Sequence, residues 1–177
     1  MNELFLESKR LAFYKMDSSD FDDIAEMLKN KNVMYAWEYV FSDTEVQDWI
    51  DKNTEKYKKY NLGYFIAFDK NLQKVVGQIA LMPDTINNKT YLEIGYILKQ
   101  EFWHKGYAKE GAKAMIDYAF NVLGEKSVIA EIRPMNTASQ KVAQSLGMKV
   151  TGDFIKKVKD KEMKHLIFTL KNPAIQS

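Results

Sequence analysis

Apolar positions along the chain keep two different rhythms. The run KRLAFYKM at 9–16 has the density of a strand. Asp17, Ser18 and Ser19 then offer helix N-caps, and Phe21, Ile24, Ala25 and Leu28 return at helical spacing. Ser42-x-x-Glu45 is a capping box. Behind it Val46, Trp49, Ile50 and Tyr57 mark one face of a helix running to about Tyr60. Segments 64–68, 74–82 and 91–98 read as strands, the last two separated by an Asn87–Asn88 turn signal.

The second half alternates strand with helix. After 91–98 comes a short loop, KQEFWHKG, and then a helix with Ala108, Ala112, Met115, Ile116, Ala119 and Leu123 on one face. Gly124 falls where a C′ glycine belongs. Segment 127–133 is a strand. Pro134–Asn136 turns into a helix carrying Ala138, Val142 and Leu146, which Gly147 stops. Strands at about 148–157 and 163–170 flank the charged turn KVKDKE, where lysines 156–161 read as a solvated run. The expected order is β-α-α-β-β-β-α-β-α-β-β. The β-α-β unit at 91–133 should hold parallel strands, and the hairpins around it make the sheet mixed.

With 177 residues, 46% hydrophobic and 28% charged, the chain is expected to fold as one domain spanning 1–177. Ten Phe, ten Tyr and three Trp exclude a disordered chain. The 26 basic and 24 acidic side chains leave a formal +2, which makes no electrostatic case for nucleic acid or a membrane as partner. There is no cysteine, which removes disulfides, cysteine-ligated zinc and a cysteine nucleophile together. His104 and His165 lie far apart, so no metal site is expected. The first ten residues scatter charge and lack the pattern of a signal peptide, and no apolar run approaches the ~20 residues of a membrane span. A cytoplasmic protein fits these features. It can be a monomer, or a homodimer paired through strand edges.

Chemistry concentrates in two segments. WHKGYAKE, 103–110, takes a strand through a glycine loop into a helix. The first turn of a helix has unpaired N–H groups and the positive end of the macrodipole, which together suit a phosphate. Gly106 lets the main chain come close to an anion, and Lys105 and Lys109 add charge. The G-x-G-x-x-G dinucleotide fingerprint is absent. Gly106 and Gly111 have P-loop spacing, but Ala112–Lys113–Ala114 stands where Lys-Ser/Thr is required. The second segment, RPMNTASQKVAQSLGM at 133–148, places Asn136 at an N-cap with Ser139 three residues on.

Taken together, EIGYILKQEFWHKGYAKEGAKAMIDYAF (93–120) and RPMNTASQKVAQSLGM (133–148) resemble the GNAT superfamily of acyl-CoA-dependent N-acetyltransferases. Within it, the branch that acetylates N-termini of ribosomal proteins is the nearest likeness, with polyamine acetyltransferases close by. The resemblance covers about residues 8–170. It implies an α/β (α+β) fold with a mixed, mostly antiparallel central sheet and helices on both faces. It implies acetyl-CoA as donor, a protein N-terminal α-amine as acceptor (or a polyamine or other small amine), and no metal.

By the resemblance, the end of the strand at Tyr96, Ile97 and Leu98 and the loop residues Trp103, His104, Lys105, Gly106, Tyr107, Ala108 and Lys109 take the pantetheine and pyrophosphate. The family's loop reads Arg/Gln-x-x-Gly-x-Gly/Ala. Trp103 departs from its first position, as this branch often does. Asn136 corresponds to the residue touching the pantetheine arm, and Ser139 to the hydroxyl near the CoA sulfur. In the family the two parallel strands splay to admit the thioester, and Gly95 fits a bulge or close backbone approach there. Pantetheine carries two amides and can lie along a strand as an added peptide does.

The attacking amine must be a free base. An α-amine has a pKa of about 7.7–8.0 and a lysine amine about 10.4, so the second leans harder on proton removal. Glu93 is the candidate base, on the face of Gly95 and Ile97 by alternation. Many relatives carry a tyrosine seven residues after the Asn as acid for the thiolate; Ala143 stands there. Either Ser139 or water protonates the sulfur, or the thiolate leaves unassisted. A non-catalytic acyl-CoA-binding module is the competing reading that Ala143 supports. Tyr35, Trp37 and Glu38, between the two N-terminal helices, are the candidate acceptor residues.

Overall fold

The computed structural model describes residues 2–175. The chain enters as a hairpin where 9–16 alone suggests a single strand. Leu4–Glu7 (β1) pairs antiparallel with Leu11–Lys15 (β2). Ser8 closes the turn, its N–H donating to the Leu11 carbonyl and its hydroxyl accepting from the Leu11 amide. Phe5 on this added strand stacks on Phe65 at 4.1 Å, which with Leu6 anchors the strand to the core.

Phe21–Leu28 (α1) follows a short 3₁₀ turn that Asp17 caps. Asp43–Tyr60 (α2) begins at the expected box: Ser42 Oγ accepts from the Glu45 amide and Glu45 returns the bond to the Ser42 amide. Gly63–Asp69 (β3), Lys74–Ile86 (β4) and Lys89–Leu98 (β5) form a meander. Tyr107–Asn121 (α3), Ser127–Ile132 (β6) and Thr137–Ser145 (α4) come next. Gly124 takes φ +70 just past α3, and Gly147 takes φ +85 after α4. At Gly147 the amides of Gly147 and Met148 bond back to the carbonyls of Gln144 and Ala143, a Schellman closure. Lys149–Val158 (β7) and Lys161–Lys171 (β8) form the last hairpin.

Among the described residues eight strands join one sheet in the order β1-β2-β3-β4-β5-β6-β8-β7. Every neighbouring pair is antiparallel except β5–β6, so the fold is the mixed, mostly antiparallel one expected, with one strand added at the N-terminus. Helices cover both faces. Trp49 of α2 donates to Gln78 of β4 at 2.9 Å, while its neighbour Ile79 lies against Gly111 of α3. Adjacent strand residues point to opposite faces, so α2 and α3 sit on opposite sides. A Cβ at Gly111 would come 2.7 Å from Ile79, which is why a glycine occupies the middle of α3. Phe13, Phe65, Ile79, Leu81 and Ile94 are fully buried between these layers, and each such side chain contributes on the order of 2–3 kcal/mol. No helix among the described residues is long and apolar enough to cross a membrane.

Candidate active site

β5 and β6 touch in register at one pair only, Glu93 with Ile129. Beyond it β5 stays with β4 and β6 stays with β8, so the two strands part. The opening is a cleft of about 360 Å³ reaching both faces of the sheet. Glu93, Gly95, Tyr96 and Ile97 line it from β5; Glu131 and Arg133 line it from the β6 side; Asn136 and Ser139 line it from α4.

One wall leads into main chain. After Leu98 a short 3₁₀ turn at Gln100–Phe102 delivers Trp103, His104 at φ +60 and Gly106 at φ +80. Two left-handed residues two apart curl the backbone tightly into the start of α3. The first helical bond of α3 is Glu110 N–H to Gly106 C=O. Among the described residues the amides of 104–109 bond to no protein group. Such a row of unpaired donors at a helix start fits a phosphate. Three side chains of the segment turn to partners elsewhere. Trp103 donates its indole N–H to Leu98 C=O at 3.2 Å, Lys105 rests over Phe102, and Tyr107 points inward to Asp69 at 2.6 Å.

A brace from the first hairpin holds this loop from outside. Arg10 donates to the Lys105 carbonyl at 3.0 Å, pairs with Glu110 at 2.6 Å, and lies 4.3 Å from the Tyr107 ring centre. Glu110 also accepts from Ser8 Oγ and the Arg10 amide, both at 2.7 Å. Burial pushes the Glu110 carboxyl up, but the Arg10 amide, the Ser8 hydroxyl and the guanidinium outweigh it, and its pKa falls below the ordinary value.

Around α4, Asn136 Oδ1 caps Ser139 N–H at 3.1 Å and accepts Tyr35 O–H at 2.8 Å. Tyr96 donates to Ser139 C=O at 2.6 Å. Arg133 reaches across to Ala36 C=O at 2.9 Å and to the Glu38 carboxylate at 3.1 Å. The acceptor candidates therefore divide. Trp37 lines the cleft, while Tyr35 and Glu38 tie the segment between α1 and α2 onto Asn136 and Arg133. Ala143 is fully buried in the C-terminal turn of α4.

The other wall is made of charged side chains. Glu93 is only 8% exposed and accepts from no donor; its Oε2 is buried without a partner. Oxygens of Asp84, Glu93 and Glu131 lie within 4.8 Å of one another. Lys156 sits between two of them, 2.7 Å from Glu131 and 3.3 Å from Asp84. That corrects the sequence reading of Lys156 as part of a solvated turn, because the turn itself is Lys159–Asp160. Burial, then the charge of Glu131, raises the Glu93 carboxyl well above the carboxylate range. Burial and a hydrogen bond shared with Asp84 raise Glu131 as well. Lys56 is held below the usual lysine value by burial, and its ammonium lies 3.3 Å from Met82 Sδ.

Gly95 has a cause the sequence does not hint at. The β4–β5 register runs through it without a bulge. A Cβ there would stand 2.6 Å from the Tyr64 hydroxyl, so a phenol claims the space. Tyr64, Lys56, Asp84, Glu131 and Lys156 all line the cleft and escape sequence reasoning. Arg10 does too. The only local signal is an acidic residue inside an apolar strand, Glu131 between Ala130 and Ile132.

The profile of the acetyltransferase (GNAT) domain matches residues 10–149. YkkB, an uncharacterized protein of Bacillus subtilis (strain 168), is 33% identical over 144 residues, 81% of this chain and 84% of that protein. An acetyltransferase of the GNAT family from Bacillus anthracis superposes with a TM-score of 0.79 at 24% identity, covering 96% of this chain and 99% of that one. The ribosomal L7/L12 α-N-protein acetyltransferase RimL, solved with coenzyme A, gives 0.76 at 21% identity over 97% of this chain and 99% of that one. With these two structures the likeness is one of fold.

Proposed function

The chain belongs to the GNAT acetyltransferase family, and from that premise we propose that it moves an acetyl group from acetyl-CoA directly to the α-amine of a protein N-terminus. The observation carrying this reading is Glu93: a buried, unpartnered carboxylate at the point where β5 and β6 separate. A base must be both within reach and near the acid it deprotonates in pKa. The rise in the Glu93 pKa brings it closer to an α-ammonium, at about 7.7–8.0, than an ordinary carboxylate would be.

The other roles follow the geometry. The amides of 104–109 take the pyrophosphate of the donor, with Gly106 giving close approach and Ala108 keeping the first turn uncrowded. The strand end at Tyr96, Ile97 and Leu98 lies along the pantetheine, and backbone donors near Ile97 stabilise the oxyanion. Asn136 has already given Oδ1 to Ser139 and Tyr35, so it meets the pantetheine arm with its Nδ2 donors. Ser139 stands by the sulfur as the proton donor that Ala143 cannot be. Trp37 packs on the acceptor, while Tyr35 and Glu38 hold the segment that carries it. Residues 1–177 work as one catalytic unit, in the cytoplasm, and no metal takes part.

The three carboxylates favour a second reading, a small polyamine as acceptor. A thiol-release assay with acetyl-CoA separates the two: peptides with free N-termini, the same peptides blocked, polyamines and aminoglycosides. We expect turnover with free peptides only. Glu93→Gln should lower kcat roughly 100-fold while leaving acetyl-CoA affinity in place. Full activity in that variant, or turnover of polyamines alone, overturns the reading.

A further inference from the structure

We propose that Glu131 and Asp84 form the exit path by which the proton taken up by Glu93 reaches bulk water. The inference rests on Glu93 being the base. From the ammonium form, the acceptor nitrogen loses two protons as the amide forms. One ends on the CoA sulfur, and the other must leave the protein each turnover. Glu93 is badly placed to release it alone, being only 8% exposed in the cleft that donor and acceptor would fill.

Beside it, along the same cleft wall, the polar route is graded. Glu93 Oε2 has no hydrogen-bond partner among the described residues. Glu131 comes next, its side chain 3% exposed, and then Asp84, its side chain 32% exposed at the rim. Their oxygens are close enough for a proton to cross after a small rotation or over one water. Each hop breaks one carboxyl O–H as it makes the next: Glu93 to Glu131, Glu131 to Asp84, Asp84 to water. Every carboxyl returns to its starting state.

The surrounding groups suit a shuttle better than a fixed ion pair. Lys156 of β7 neutralises one charge of the set, pairing with Glu131 Oε2 and Asp84 Oδ2, while the Thr85 amide donates to Asp84 Oδ1 at 2.7 Å. Glu131 Oε1 is buried with no N–H donor on it. Lys56 of α2, Tyr64 of β3 and His165 of β8 face the same space. Three close carboxylates against two lysines favour keeping one proton among them, free to move from one oxygen to another.

The test uses the full chain with acetyl-CoA and the best peptide acceptor. Asp84→Asn and Glu131→Gln should each lower kcat about tenfold. A small diffusible buffer such as imidazole should restore Asp84→Asn toward wild type, Asp84→Glu should keep its activity, and the solvent isotope effect on kcat should rise in both amide variants. Unchanged kcat and pH profile would overturn the path. So would a loss that no buffer rescues and that leaves the isotope effect as in wild type, which marks a merely structural or electrostatic neighbour. If Glu131→Gln does not fold, the two rim variants of Asp84 decide alone. Glu93→Gln separates the premises: a dead Glu93→Gln beside a normal Asp84→Asn sinks the path only, and an active Glu93→Gln sinks the base itself.

Discussion

The loop that opens α3 and the charged wall of the cleft solve opposite problems with opposite materials. On the α3 side the ground for an anion is main chain, six consecutive amides set by two left-handed residues, and nothing in it titrates. Along the charged wall the surface is side chain, three carboxylates and two lysines drawn from α2, β4, β5, β6 and β7, and nearly everything in it titrates. The first offers a fixed field at no reorganisation cost. The second can change charge during a reaction. A donor bound by the first should feel pH little, whereas turnover on the second should follow it closely.

The sharpest break in that contrast is Gly106→Glu. It forces a side chain into φ +80 and sets a negative charge where a diphosphate must dock, so acetyl-CoA affinity should fall roughly 100-fold. Calorimetry measures the loss, and an unchanged circular dichroism spectrum shows the fold intact. Unaltered affinity would place the donor elsewhere. Arg10→Ala removes the brace without touching an amide. KM for acetyl-CoA should rise about tenfold with kcat preserved. An equal fall in kcat would mean that the brace shapes the reaction centre as well.

On the titrating wall the expected effect is on stability. The folded chain raises the Glu93 carboxyl, so between the ordinary carboxylate value and the raised one it holds a proton that the unfolded chain has lost. Its contribution is complete below that window and drains away as pH climbs through it. Gln cannot ionise, so Glu93→Gln should gain about 1–2 kcal/mol over wild type from mildly acidic to alkaline buffer, read as a widening gap in melting temperature. A constant gap would mean that Glu93 finds a counter-charge in the folded state. The smallest change is expected for Ser139→Ala: a thiolate leaves readily, so kcat should drop about threefold. A much larger loss would promote Ser139 to the essential acid.

Legibility divides along the same line. Ser42 with Glu45, Gly106 with its loop, and Asn136 with Ser139 could be read directly, because each is a contact between near neighbours in sequence. Their physics is local: an orphan amide, a cap, a positive φ. Glu93 could be picked out only as an acid in an apolar strand. Asp84, Glu131 and Lys156 could not be joined to it, since Lys156 meets Asp84 across 72 positions and Glu131 across 25. Lys156 alone looks like any surface lysine. Arg10 is the extreme case, reaching Lys105 over 95 positions from a turn whose first strand is itself easy to miss. No composition rule or hydrophobic rhythm carries such a pairing.

The brace also sets a lower limit on how far the chain can be trimmed. A version starting at Arg10 would keep the guanidinium and all four helices, yet lose β1 and the Ser8 hydroxyl that steadies Glu110. The helix start would then grip the proposed donor more loosely, although every residue proposed to touch that donor is retained. A chain cut at Arg10 should therefore still fold yet bind acetyl-CoA more weakly than the full chain.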